Sequence, residues 1–82
     1  MDSIIHSIKK QISEIAGIDE SQISDNDSFK NDLGVDDLDM IEIIMELEEE
    51  FNMEINDDVA DGIREGTVEQ LAQLIKKEVD SK

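Results

Sequence analysis

The stretch that says most about the fold is residues 32–51, which read DLGVDDLDMIEIIMELEEEF. Gly34 allows the backbone to turn sharply, and Asp36 is a suitable N-cap for a helix that we expect to begin at Asp37. Acidic residues in the first turn suit the positive end of the helix dipole. Apolar residues then recur at helical spacing, which predicts that this second helix of the chain continues to Phe51.

A helical wheel at about 100° per residue gives this second helix two apolar stripes. The stripe expected to face the core consists of Met40, Ile43, Ile44, Leu47 and Phe51. The opposite stripe, called the docking ridge below, consists of Leu38, Ile41 and Met45 and lies among Asp39, Glu42, Glu46, Glu48 and Glu49. Three exposed apolar residues are also compatible with ordinary surface scatter. We favour a docking surface, because apolar anchors supply affinity while the surrounding carboxylates steer a basic partner.

Helical signals also flank this stretch on both sides. Isoleucines at helical spacing predict a first helix from near Ser3, its expected N-cap, to Ala16, with Gly17 just beyond its end. A long connection from residue 18 to 36 follows, with a short helical turn expected within residues 19–23 and packing anchors at Ile18, Ile23, Phe29 and Leu33.

Two further helices are expected after the acidic second helix. A short third helix is predicted within residues 57–63, weakened by a glycine. A fourth should start at Thr67, because Thr67 and Gln70 have the spacing of a capping box. The sequence therefore predicts one all-α domain over residues 1–82: a four-helix bundle with three long helices, one short helix and a long first loop.

The charge of the chain excludes two classes of partner. Its 82 residues carry a formal net charge of -16, so nucleic acids and anionic membranes, which are polyanions, are not expected to bind. Thirteen acidic residues lie from Asp32 to Asp61, and no basic residue lies between Lys30 and Arg64. We expect these carboxylates to repel one another with no local cation to offset them, and to favour a partner with a basic docking surface.

The sequence offers little for catalysis or metal binding. It has no cysteine, and its single His6 has no evident nucleophile to activate, so we do not expect an enzyme. A calcium loop with Gly62 at its sixth position would place Val68 where a glutamate ligand is needed, so no metal site is predicted. The N-terminal residues lack the pattern of a signal peptide, and we expect a cytoplasmic protein.

Residues 32–39 resemble the Asp-Leu-Gly-x-Asp-Ser-Leu-Asp signature of bacterial acyl carrier proteins. The resemblance covers nearly the whole chain and is most specific over residues 32–55. It implies that the protein presents acyl intermediates to fatty-acid or related polyketide or lipid biosynthetic enzymes. In this family the serine of the signature carries 4′-phosphopantetheine, and Asp37 stands in its place. A carboxylate has no hydroxyl with which to form the phosphodiester, so we expect no cofactor on this chain.

The same resemblance implies a set of functional residues. The partner-binding surface that it implies comprises Asp36, Leu38, Asp39, Ile41, Glu42, Met45, Glu48 and Glu49. A carrier must also open an acyl pocket between helices, for which the candidates are Phe29, Ile43, Leu47, Ile55, Ala60, Ile63 and Leu71. The implied partners are basic docking surfaces of fatty-acid or polyketide synthesis enzymes and of the pantetheinyl transferase. We expect the protein to bind them as a monomer.

Three interpretations of Asp37 are open from the sequence. The chain is a carrier whose serine has been replaced to hold it in the apo form, or a natural carrier-like relative that binds partners without an acyl group. In the third, another serine accepts the arm, although the nearest candidates, Ser28 and Ser3, lack the surrounding signature. Outside the carriers, the alternative is an acidic interaction or regulatory module.

Overall fold

A computed structural model describes residues 2–81, which form four α-helices and one short 3-10 turn. The helices are α1 (Asp2–Ala16), α2 (Asp37–Phe51), α3 (Asp57–Arg64) and α4 (Val68–Asp80). The 3-10 turn, Glu20–Gln22, lies in the long connection between α1 and α2. The prediction of an all-α bundle with three long helices and one short helix is confirmed.

The helix ends follow the caps that the sequence contains. The carboxylate of Asp36 accepts a hydrogen bond from the backbone N–H of Asp39 at 2.8 Å, so α2 begins at Asp37 as predicted. Thr67 and Gln70 form the predicted capping box at the start of α4. The prediction that Ser3 caps α1 is wrong, because α1 already includes Asp2.

The core is built by the three long helices and by buried side chains of the long connection, among them Ile23, Phe29 and Val35. Fully buried aliphatic residues come from α1 (Ile8, Ile12), α2 (Ile43, Leu47) and α4 (Val68, Leu71, Ala72, Ile75), and they pack around Phe29. Burying each large side chain contributes about 1.5–3 kcal/mol. The short helix α3 has no fully buried residue and packs through half-buried side chains, so it is the least anchored of the four.

The long connection fixes where α2 starts. Phe29 is fully buried, and its backbone N–H donates to the carbonyl of Gly66 at 3.2 Å. The N–H of Val68 donates in turn to the carbonyl of Asp27 at 3.1 Å. Gly34 then adopts φ +64°, a left-handed conformation that favours glycine, immediately before α2. These contacts hold the start of α2 beside the junction of α3 and α4.

Candidate functional site

The docking ridge lies on the outer side of α2. Leu38 is 73% exposed, Ile41 55% and Met45 59%. On the other side of the helix, Met40, Ile43, Ile44 and Leu47 are buried and Phe51 is half-buried. The structure therefore gives α2 the two apolar stripes that its periodicity predicts, one in the core and one in solvent.

Free carboxylates surround the docking ridge. Glu42, Glu46 and Glu49 are exposed, and none of them takes part in the ion pairs or side-chain hydrogen bonds formed within residues 2–81. No neighbouring cation among the described residues offsets the attraction of these side chains for a positively charged partner. The ridge is thus an apolar strip in a negative field, which suits a basic partner.

Two acids that the sequence assigns to partner binding also support the fold. Asp36 uses one carboxylate oxygen to cap α2. Glu48 is half-buried, and its carboxylate accepts a hydrogen bond of 2.7 Å from the backbone N–H of Ile55. That bond holds the connection between α2 and α3 against the end of α2. Substituting either residue would disturb the local backbone as well as any partner contact.

Position 37 lies in the first turn of α2 and is paired across to α3. The Asp37 side chain is 75% exposed, and its Oδ1 lies 2.7 Å from Nη1 of Arg64, whose side chain is 29% exposed. The expectation that no local cation offsets the acidic segment is therefore wrong at this position. The cause is tertiary: the long connection brings the start of α2 next to the end of α3, where a cation also complements the helix dipole.

A recess of about 230 Å³ lies between α2 and α3 beside this ion pair. It is lined by Asp37, Met40, Ile41, Ile44, Ala60, Asp61 and Arg64. Of the seven candidate acyl-pocket residues, Ala60 lines this recess, whereas Phe29, Ile43, Leu47 and Leu71 are fully buried in the core. Ile55 is buried beside a groove at the end of α2, and Ile63 is half-buried. An acyl pocket lined by these seven residues stays a prediction.

His6 is exposed on α1, with its Nδ1 at 3.7 Å from a carboxylate oxygen of Glu20. Over residues 2–81, no cluster of three acidic or histidine side chains is arranged to hold a metal ion. The helices of this part of the chain are also too short or too polar to cross a membrane.

Sequence reasoning missed two residues of this site, Arg64 and Asp61. Arg64 is the only basic residue between Lys30 and Lys76, so its isolation among acids was a usable signal for an ion pair. Its partner could not be read from the sequence, because the pair joins two helices. Asp61 carries no comparable signal among so many acids.

A protein-family model described as "Phosphopantetheine attachment site" matches residues 6–75. The matched span runs from α1 into α4 and includes the docking ridge, the recess and position 37.

Proposed function

The chain belongs to the phosphopantetheine attachment site family, and from that membership we propose that it is an acyl-carrier-type domain held in the apo form by Asp37. The pathway that fits is fatty-acid synthesis or a related polyketide or lipid pathway, in the cytoplasm. The observation that carries the proposal is the exposed docking ridge, which begins at position 38, directly after the position of the arm. We expect the chain itself to perform no catalysis.

The residue at position 37, an aspartate, does not fit the phosphopantetheine group of the family. Attachment of phosphopantetheine requires a hydroxyl, and Asp37 offers two carboxylate oxygens, one of them 2.7 Å from Arg64. Ser28 is an unsuitable substitute, because its hydroxyl accepts a hydrogen bond from the backbone of Asn31 inside the long connection. Ser3 lies in the first turn of α1. It is also unsuitable, because the residues that follow it lack the acidic Asp-x-Leu-Asp surroundings of position 37.

Partner recognition is assigned to the outer face of α2. Its proposed residues are Asp36, Leu38, Asp39, Ile41, Glu42, Met45, Glu48 and Glu49, which present apolar anchors ringed by carboxylates. Basic docking surfaces of synthesis enzymes and of the pantetheinyl transferase are the complementary partners of a monomeric domain. The carboxylates govern encounter, and the apolar side chains govern how long the complex lasts.

One observation favours a second candidate, a natural interaction module that never carries an arm. The Asp37 carboxylate is integrated into the structure through Arg64, as expected for a position that has become structural. In that case the same ridge would bind a basic partner without any transfer chemistry.

The test uses the native chain as a competitor. A pantetheinyl transferase, coenzyme A and an ordinary serine-bearing acyl carrier protein are mixed with increasing native chain, and loading is followed by intact mass. We expect the native chain to gain no mass and to slow loading of the ordinary carrier. A matched Glu42→Lys/Glu49→Lys variant should lose this inhibition. A native chain that leaves the rate of loading unchanged would favour the interaction module, and a native chain that gains the arm would contradict both candidates.

A further inference from the structure

The docking ridge borders a groove that α1, rather than α3, completes. This α1–α2 groove has a volume of about 380 Å³ and is lined by Gln11, Glu14, Ile15, Glu42, Met45 and Glu46. Met45 belongs to both the ridge and the groove, so the two surfaces are continuous. The groove also lies outside the residues assigned to partner binding above, apart from Glu42 and Met45.

The packing of α1 on α2 fixes the shape of this groove. The two helices run antiparallel, and the hydroxyl of Ser7 near the start of α1 donates to the Glu50 carboxylate near the end of α2. Ile15 is half-buried and packs against the core, so its exposed part has a defined position. Met45 is more than half exposed on the facing side and has a flexible side chain that adapts to different shapes.

The charge of the groove has a single sign. Glu14, Glu42 and Glu46 are exposed, and none of them takes part in the ion pairs formed within residues 2–81. None of the described residues, 2–81, that line the groove is basic. Three free carboxylates therefore surround two apolar side chains, so the groove between α1 and α2 has the same chemistry as the docking ridge on α2.

We propose that the partner surface extends from α2 across this groove onto α1, and that its occupant is a basic segment of the partner enzyme. The segment has an apolar side chain that lies between Ile15 and Met45, with lysine or arginine on either side of it. The flanking cations meet Glu14 on α1 and Glu42 and Glu46 on α2. This inference rests on the proposed function and adds α1 to its recognition surface.

Glu14 is the residue that distinguishes the extended surface from the ridge alone. It is exposed and lies on α1, so Glu14→Lys leaves the core and the ridge residues in place. Glu78→Lys is the matched control, because it makes the same change in net charge at an exposed position on α4. Glu49→Lys reports on the ridge itself.

The experiment measures binding to an immobilised pantetheinyl transferase by surface plasmon resonance, without coenzyme A so that no transfer occurs. We expect Glu14→Lys and Glu49→Lys each to slow association about threefold or more relative to Glu78→Lys, an effect that should shrink at higher salt. Titration of the native chain with the transferase should also shift the backbone amide signals of Gln11, Glu14 and Ile15 in NMR spectra.

The outcomes separate the inference from the function on which it rests. If Glu14→Lys associates at the rate of Glu78→Lys while Glu49→Lys is slower, the ridge binds the partner and the extension onto α1 is wrong. Amide shifts confined to α2 would lead to the same conclusion. If all three variants associate equally, the ridge and its extension both fail.

Discussion

The ion pair between Asp37 and Arg64 can be measured directly by a double-mutant cycle. The perturbations are Asp37→Ser, Arg64→Gln and the two combined. The pair joins α2 to α3, the helix without a fully buried residue, so its loss should loosen α3 first. Asp37 is 75% exposed, and a pair at such a surface contributes about 0.2–1 kcal/mol.

Asp37→Ser has two other effects on the free energy of unfolding, one that lowers it and one that raises it. The substitution removes a carboxylate from the positive end of α2, which costs about 0.3–1 kcal/mol. It also relieves repulsion with Asp36, Asp39 and the Asp61 that lines the same recess. The lost ion pair and the lost interaction with the helix dipole together outweigh the relieved repulsion. We therefore expect Asp37→Ser to lower the free energy of unfolding by about 0.5–1 kcal/mol at low salt.

The assay is urea and thermal unfolding followed by circular dichroism, at low and at moderate salt. A loss of 1 kcal/mol corresponds to a fall of about 4–8 °C in the melting temperature of a domain of this size. We expect a coupling energy of about 0.2–1 kcal/mol that shrinks as salt screens the pair. A coupling energy of zero at low salt would refute the argument, because the two side chains would then act independently.

Three further predictions concern the acidic segment of residues 32–61, the docking ridge and the Asp19 carboxyl group. Raising salt, or adding millimolar divalent cations, should raise the melting temperature, since both reduce repulsion among the acids from residue 32 to 61; a melting temperature indifferent to salt would contradict this. Truncating Met45 to alanine should speed dissociation from a basic partner with little change in association, whereas Glu49→Lys should mainly slow association. The backbone N–H and the hydroxyl of Ser21 both donate hydrogen bonds to the Asp19 carboxylate, and these bonds hold the pKa of Asp19 below its usual 3.8. The ionised Asp19 therefore stabilises the fold above pH 3.8, and this stabilisation is lost as the pH falls through the lowered pKa. An NMR titration should show this low midpoint, and Ser21→Ala should move it back toward 3.8.

Local signals predicted much of the fold. Both ends of α2 follow from the Asp36 cap and from apolar spacing up to Phe51, and the start of α4 follows from the capping box at Thr67. The solvent-facing ridge was also predictable, because a helical wheel needs only the residues of one helix. Such features depend on neighbours a few positions apart, which the sequence displays directly.

Features that join distant segments were not predictable in the same way. The Asp37–Arg64 pair depends on how the long connection docks against the carbonyl of Gly66. The structural role of Glu48 depends on the chain turning back after α2, so that the N–H of Ile55 meets its carboxylate. The α1–α2 groove depends on which faces of two antiparallel helices meet. Apolar periodicity places residues on a face but does not identify the face that lies opposite.

The central claim is that the residue at position 37 alone separates this chain from a carrier that can be loaded. The measurement that tests it most directly is intact mass after incubation of Asp37→Ser with coenzyme A and a pantetheinyl transferase, beside the native chain. Asp39→Ser, which places a hydroxyl in the same helical turn, is the matched control. We expect Asp37→Ser alone to gain the phosphopantetheine arm. A folded Asp37→Ser variant that binds the transferase but gains no mass, or a native chain that does gain it, would contradict the account.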